Sequence, residues 1–551
     1  MEYEPFDKDE IIPEEYNSYE SYIDDINNFL YPYQSLFISN KYNSSSELIL
    51  TEKSVHALIT KQYEKLPPAF LSYFNSIKSY LTSHPEESEI IFEFLIDLSS
   101  DELSLYPSKF TEKKNLLKQK YIMPKELEEF FSKSRKLSPR DKSGENKIEK
   151  IDTDEWYEIR NGKELNSNIS TLLMKQKKKY EVKLLGNCVI NEAKNKKINT
   201  IIDIGCGKGY LTNYISMNST LRTIGIEGDE NYTNKMMLRI NKIEQKNNKE
   251  KEKENNINNI IINKAEGYTS FLTYKTTPDE FKNIARINND ENIILTGLHP
   301  CGDLTPTLMR LFKNINQIKA LIFVGCCYNK LSENPKYFNL VKNNNDNQIL
   351  LESNEYGFPL SNYLLIKNKI KFHLSKTYIS SNPHPCSKTR EEWLYSYKMC
   401  SYRFALELFI HQNLPNFLEV HYIGQIRENF SKSFGAYLNK ALINIKNHAQ
   451  KFDFNDKKYG EELIKWINIF TKENDVVKIG NEFYQNLESF NDIIFDVVPH
   501  IVLNARLSQI LEGLVVADRV LFLKEFCSYV SARRLFHPFI SPRGIQIIAY
   551  K

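Results

Sequence analysis

Residues 200–326 predict an α/β fold, a parallel sheet with helices between its strands. Two observations carry this. Short apolar runs recur at 200–204, 223–226, 260–262, 293–298 and 320–324. Helical patterns lie between several of them, including 210–215 and 306–312. Buried apolar strands that alternate with helices are the pattern of a parallel sheet.

The flanking regions read differently. Residues 16–132 are mostly helical in pattern, with 88–98 and 124–131 the clearest stretches. Residues 133–140, followed by 141–150, are polar and aperiodic and predict a linker or exposed loop. Residues 242–259 are almost wholly Lys, Glu and Asn, a low-complexity surface insertion in the α/β unit. Residues 365–500 are again largely helical. A helix over 511–526 follows, then strands over 535–540 and 545–550 around the turn signal Ser541-Pro-Arg-Gly544. The division is therefore a helical N-terminal region with linker (1–150), an α/β core (151–364), a helical insertion (365–500), and a C-terminal helix and β-hairpin (501–551) that rejoins the sheet.

Composition sets bounds. The chain has 551 residues, 41% hydrophobic and 26% charged, enough apolar material for a core. Lys plus Arg number 73 against 70 Asp plus Glu, for a net charge of +3. That excludes a polycation holding nucleic acid by bulk charge, and leaves a local basic groove open. The eight cysteines show no disulfide framework, which fits a reducing compartment. The first 25 residues are acidic, unlike a secretory or mitochondrial leader, and no run of about 18 apolar residues predicts a membrane span. A cytoplasmic or nuclear location is expected, with no membrane partner.

Glycine is scarce and clustered. Nine of the 19 glycines fall between Gly205 and Gly325. Within Ile201-Ile-Asp-Ile-Gly-Cys-Gly-Lys-Gly209 they make a strand, a glycine loop and a helix start. A dinucleotide fingerprint needs G-x-G-x-x-G, with glycine where Tyr210 stands. The G-x-G-x-G pattern is instead that of S-adenosylmethionine (SAM) methyltransferases. Gly205, Cys206, Gly207 and Gly209 would bring backbone to the cofactor, and Asp203 would meet its amino-acid end. Glu227 ends the second strand, 22 residues after Gly205, where a carboxylate takes ribose hydroxyls.

Two further segments follow the fourth and fifth strands: Leu298-His-Pro-Cys-Gly-Asp303 and Gly325-Cys-Cys-Tyr-Asn329. Strand carboxyl ends are where ligands bind in open α/β sheets. His299 is a candidate general base, Asp303 a candidate to orient it or the substrate, and Tyr328 a candidate to stack on a base. The plainer readings are that Asp303 helps Thr305 and Pro306 start a helix, and that Cys326 and Cys327 are small buried hydrophobes. A zinc site from His299, Cys301, Cys326 and Cys327 is conceivable, but no C-x-x-C spacing supports it and no metal is expected. His384 and Cys386 read as part of a loop. Lys177 and Lys178 are candidate phosphate contacts, with Glu181 beside them in the pocket; a solvated charge run is the alternative.

Together these motifs resemble the methyltransferase-like protein 25 family, whose relatives include proteins named for a ribosomal RNA adenine dimethylase domain. The resemblance rests on 203–209, Thr296-Gly-Leu-His-Pro-Cys-Gly-Asp303, Gly325-Cys-Cys-Tyr328, Phe358-Pro-Leu-Ser361, the basic segment 174–182 and the ending 541–551. It implies a class I SAM-methyltransferase, Rossmann-like sheet, with Asp203, Gly205, Gly207, Gly209 and Glu227 at the cofactor. It leaves the substrate open. Cys301, Cys326 and Cys327, candidate substrate contacts, belong to motifs that also look like those of the tRNA acceptor-stem 2′-O-methyltransferases, which favours RNA. Tyr180 stands where the family usually has His, Pro300 where it has a small residue, and Cys206 where it has Ser. The N-terminal Cys/His zinc-finger spacing of the tRNA enzymes is not seen. The expected function is SAM-dependent methylation of RNA. The alternatives are a protein methyltransferase and an inactive SAM-binding module.

Overall fold

The computed structural model describes residues 11–33, 65–99, 108–139, 174–254, 265–333, 355–367, 390–413, 428–449, 457–487 and 490–551 without Phe539, with isolated positions besides. These fall into two compact units. The first contains 1–39, 130–387 and 504–551, and the second 40–129 and 388–503. The cut differs from the one drawn along the sequence, because residues 1–39 and 130–150 join the α/β unit while 40–129 join 388–503.

The α/β unit is a seven-stranded sheet: β1 (Thr200–Ile204), β2 (Arg222–Glu227), β3 (Glu266–Thr269), β4 (Ile293–Cys301), β5 (Ile318–Cys326), β6 (Tyr529–Arg534) and β7 (Ile545–Tyr550). Their order is β3-β2-β1-β4-β5-β7-β6. The first five are parallel; β7 runs antiparallel to β5, and β6 antiparallel to β7. The chain turns from one half of the sheet to the other between β1 and β4, so the crevice outside their carboxyl ends is the expected ligand site. β1 is buried at every position, as a strand covered on both faces should be.

Three helices frame that crevice. Gln176–Asn195 precedes β1, Tyr210–Met217 follows the glycine loop, and the residues from Asn504 to Lys524 of a long helix precede β6. The last of these carries apolar residues buried all round, including Leu507, Leu511, Leu514 and Val520. The first two approach closely because Gly186 has no side chain. A Cβ there would lie 2.4 Å from Tyr214 Cδ1.

Several expectations are corrected. Residues 133–137 are not a linker: they lie in the helix Lys125–Leu137. Phe130, Phe131, Ser134 and Leu137 are buried on one face, while Arg135 and Lys136 point to solvent. The polar window masked a helical stripe. Tyr22, on the helix Tyr19–Leu30, donates from its hydroxyl to the Leu137 carbonyl at 2.7 Å. Residues 242–254 continue the helix that begins at Glu230, so the Lys/Glu/Asn run is in part regular structure. The strand expected over 260–262 and the rest of 141–150 lie outside the described residues. The penultimate strand is 529–534, not 535–540. Leu535 instead leaves the sheet, bonding to the Gly544 carbonyl at 2.8 Å, and Phe536 is buried beside the site described below. Phe536 and Ile540 in that connector are buried without strand pairing, which their apolar pattern alone does not distinguish from a paired strand.

The second unit is helical. Its core includes Tyr402, Phe409, Phe434, Leu438, Leu442 and Leu463. The helices Phe434–Ala449 and Val476–Gln485 meet at Gly435 and Gly480, where a Cβ on Gly435 would lie 1.9 Å from the Val477 carbonyl oxygen. Among the described residues no helix is long and apolar enough to cross a membrane.

The contact at Gly186 is testable. Gly186→Val should overpack the junction of the two helices and lower stability by about 2 kcal/mol, as enlargements in close-packed cores do. Calorimetric melting checks it; an unchanged midpoint would contradict the packing described.

Candidate functional site

The glycine loop is built by backbone that only glycine adopts readily. Gly205, Gly207 and Gly209 have φ of +68°, +56° and +68°. A Cβ on Gly209 would press to 2.4 Å from Met236 Cγ, whereas one on Gly207 would meet nothing within 4 Å. Gly209 is therefore glycine for the fold. Gly207 faces open space and leaves a cradle for a ligand. Its N–H donates to Glu227 Oε2 at 2.8 Å, so the acid at the end of β2 closes over the loop.

Asp203, at the end of β1, is fully buried. Its Oδ2 accepts from the Thr212 hydroxyl at 2.7 Å. Its Oδ1 is buried with no hydrogen-bond partner among the described residues. Burial pushes the carboxyl up to about 7, with the Thr212 hydrogen bond opposing this and the Glu227 charge adding to it. A buried acceptor without a partner is unfavourable by itself and fits a cation or donor delivered by a ligand. Cys206 does not offer its side chain to that ligand: its Sγ packs 3.6 Å from Met236 Sδ, and its N–H bonds to the Ile226 carbonyl.

On the other side of the crevice the end of β4 turns sharply. The register shifts between Leu298 and Cys301, and His299 takes φ +65°. His299 Nε2 lies 3.1 Å from Glu181 Oε1. Glu181 comes from the helix Gln176–Asn195 and is fully buried. It also accepts from the Ser541 hydroxyl at 2.8 Å and pairs with Lys178 at 2.5 Å and Lys177 at 3.8 Å. Burial pushes its carboxyl up, but His299, Lys178 and Lys177 outweigh this and hold it well below the usual carboxylate range. The His299 ring sits edge-on to Phe536 at 6.2 Å, and its Nδ1 is buried with no hydrogen-bond partner among the described residues. A carboxylate on one imidazole nitrogen fixes the proton there and leaves the other as the basic atom.

The remaining candidates fall in different places. Asp303 does not contact His299. Its Oδ1 accepts from the Ser332 N–H at 2.8 Å, tying the β4 and β5 loops together, and the Thr305 hydroxyl bonds instead to the Pro300 carbonyl. The helix starts at Leu304, and the Asp303 side chain does not cap it. Tyr328 is not open at the surface. It is 2% exposed, between the guanidinium groups of Arg519 at 4.9 Å and Arg543 at 5.5 Å. Lys177 and Lys178 stand at the mouth, half-exposed and partly neutralised by Glu181. Cys301, Cys326 and Cys327 converge at the ends of β4 and β5. His384 and Cys386 lie outside the described residues.

Four participants were not found from the sequence. Phe536 and Ser541 give no local signal, because their partners are distant in the chain, and Thr212, nine residues from Asp203, reads as an ordinary helical residue. Phe271 is 80% exposed just beyond β3, against Gly228. The motif Phe358-Pro-Leu-Ser361 has a structural reason: buried Asp518 accepts from the Leu360 and Ser361 N–H groups, both at 2.8 Å.

A family described as a methyltransferase domain matches residues 177–334. Those residues form a methyltransferase domain. A mouse protein named "Probable methyltransferase-like protein 25" is 25% identical over 301 residues, 52% of this chain and 41% of its own length. The human protein of that name is 26% identical over 286 residues, 52% and 41%. The chain thus spans about two fifths of the length of the curated relatives it matches. Over about half of its length it is similar to the methyltransferase-like protein 25 proteins. Among solved structures, M. capricolum TrmK in complex with S-adenosyl-homocysteine is 17% identical, covering 52% of this chain and 97% of that one at a TM-score of 0.16.

The chain's residues fit SAM as a cofactor. The open cradle at Gly207, the unpartnered Asp203 Oδ1 and the Glu227 carboxylate offer a backbone approach, a seat for an ammonium and an acceptor for hydroxyls.

The Asp203 carboxyl gives a pH dependence. Its pKa is raised on folding, from 3.8 to about 7. Its neutral form therefore favours the fold below about pH 4, and that contribution is lost as pH rises through 7. A bound ammonium reverses the preference and favours the ionised form. SAM affinity should rise roughly tenfold between about pH 6 and pH 8 and then level. Calorimetric titration at several pH values checks this. In Asp203→Asn the affinity should be weaker and flat with pH; a flat profile in the unaltered protein would contradict the assignment.

Proposed function

We propose that this chain is a SAM-dependent methyltransferase whose acceptor is RNA. The observation that carries it is the pairing of His299 with buried Glu181 at the same sheet edge as the glycine loop, Asp203 and Glu227.

SAM supplies an electrophilic methyl group. The chain's own residues do the rest. Gly205, Gly207 and Gly209 shape backbone around the cofactor, Asp203 holds its ammonium and Glu227 its ribose. Phe271, exposed beside the end of β2, covers its purine. Glu181 fixes the His299 ring, with the Nε2 proton assigned from the carboxylate contact. Nδ1, the nitrogen left without a proton, is enclosed in this structure, so it takes the proton that the acceptor loses only where substrate binding opens the ring to the crevice. That role suits an acceptor that must be deprotonated, a hydroxyl or an amine, and a ribose 2′-hydroxyl meets it. Much of the acceleration comes from holding acceptor and methyl in line. The resemblance of His299-Pro-Cys-Gly302 to the tRNA 2′-O-methyltransferases supports RNA. Lys177 and Lys178 stand where a phosphate would pass. Asp303 has no part in the chemistry; it keeps the two loops in register.

The test is incubation of purified protein with methyl-labelled SAM and either total RNA or total protein. Label should enter RNA, with binding that weakens steeply as salt rises. Gly207→Arg should abolish both SAM binding and transfer. His299→Ala should keep SAM binding and reduce transfer by roughly a hundredfold. Label confined to protein would overturn the RNA acceptor. Tight SAM binding with no label in either fraction would make the chain an inactive binding module.

A further inference from the structure

The three thiols at the ends of β4 and β5 have no part in the reading above. Cys301 Sγ lies 3.2 Å from Cys326 Sγ and 3.1 Å from Cys327 Sγ, and Cys326 Sγ lies 3.5 Å from Cys327 Sγ. All three are free cysteines. We propose that Cys301, Cys326 and Cys327 form a three-thiolate site for Zn²⁺.

Three observations point to an ion. The first is the closeness of the sulfurs. Thiols are weak hydrogen-bond donors and weak acceptors, so hydrogen bonding alone gives little reason to gather three at contact distance. Zinc–sulfur bonds of about 2.3 Å in a tetrahedral arrangement put sulfurs roughly 3.8 Å apart. An outward shift of a few tenths of an ångström at each sulfur therefore makes room for the ion.

The second is the backbone that gathers them. Cys301 and Cys326 are opposite one another in the β4–β5 register, reached only through the irregularity after Leu298. Cys327 takes φ +52°, and His299, two residues before Cys301, takes φ +65°. Left-handed non-glycine residues are unfavourable by about 1–3 kcal/mol each and persist where the surroundings impose them. These two flank one cluster. The turn at Cys327 brings its sulfur back beside Cys301.

The third is the graded exposure. Cys326 is buried, Cys327 half-buried and Cys301 exposed. An ion bound by all three is anchored in protein and reachable from solvent. Three protein ligands leave a fourth position for water or a substrate atom, the open arrangement of reactive zinc sites rather than the closed one of structural sites. A disulfide would engage only two of the sulfurs and would need an external oxidant. The site stands whatever the methyl acceptor is.

The experiment uses the full chain, purified under reducing conditions, stripped with chelator and reloaded with ZnCl₂. Elemental analysis should give about one zinc per chain. Loading with Co²⁺ should give the near-ultraviolet sulfur-to-metal charge-transfer band and a tetrahedral visible spectrum. Cys301→Ser and Cys327→Ser should each weaken zinc binding by roughly a hundredfold or more, with circular dichroism unchanged. Cys527→Ser, a thiol elsewhere in the unit, should bind as the unaltered protein does. Three outcomes would overturn the proposal. One is no retained zinc, with all three thiols open to a thiol reagent. Another is a disulfide between two of them under the same reducing conditions. The last is zinc bound equally well in both serine variants.

Discussion

The α/β unit depends on one buried carboxylate. Glu181 is fully enclosed, yet charged, because partners from its own helix and from two distant segments meet it. Lys177 and Lys178 come from its own helix, His299 from the turn ending β4, and Ser541 from the connector between β6 and β7. A buried charge is tolerable only with such company, and losing a partner of a buried ion pair is unfavourable by about 3–5 kcal/mol. The helix before β1, the unusual turn after β4 and the C-terminal hairpin are thereby fixed to one another. That same tie orients the imidazole. Architecture and chemistry share one residue, and so the site is made of pieces 118 and 360 residues apart.

Around this tie the crevice divides into two halves with different physics. On the β1–β2 side, backbone dominates: left-handed glycines, an N–H held by Glu227 and a buried acid with one unused oxygen. On the β4–β5 side, side chains dominate: an imidazole on its carboxylate and three sulfurs in contact. Tyr328 and Asp303, which the motifs suggested for substrate, support the second half from below. Buried Arg519 and Arg543 hold Tyr328, and Asp303 staples the two loops.

The cofactor half was legible in the sequence because its signal is local. A strand, a glycine loop and an acid at fixed spacing are one continuous stretch, and their geometry follows from backbone rules. The sheet was legible for a similar reason, since β1, β2, β4 and β5 are continuous apolar runs. The rest was hidden by distance or by dual use. Glu181 was singled out, but Ser541 and Phe536 become neighbours of His299 only after folding. Residues 133–137 looked polar because their charged residues are the outer face of a helix whose inner face is Phe130, Phe131, Ser134 and Leu137. Phe536 looked like strand because a buried connector and a paired strand share a composition.

The central claim is that the first half of the crevice is a seat for SAM. The most direct measurement is a crystal structure with S-adenosyl-homocysteine bound. The account predicts the amino group of the product on Asp203 Oδ1, now partnered, the ribose hydroxyls on Glu227, and the Gly207 cradle filled. Product found elsewhere, with Asp203 Oδ1 still unpartnered and Glu227 still closed on the Gly207 N–H, would contradict it.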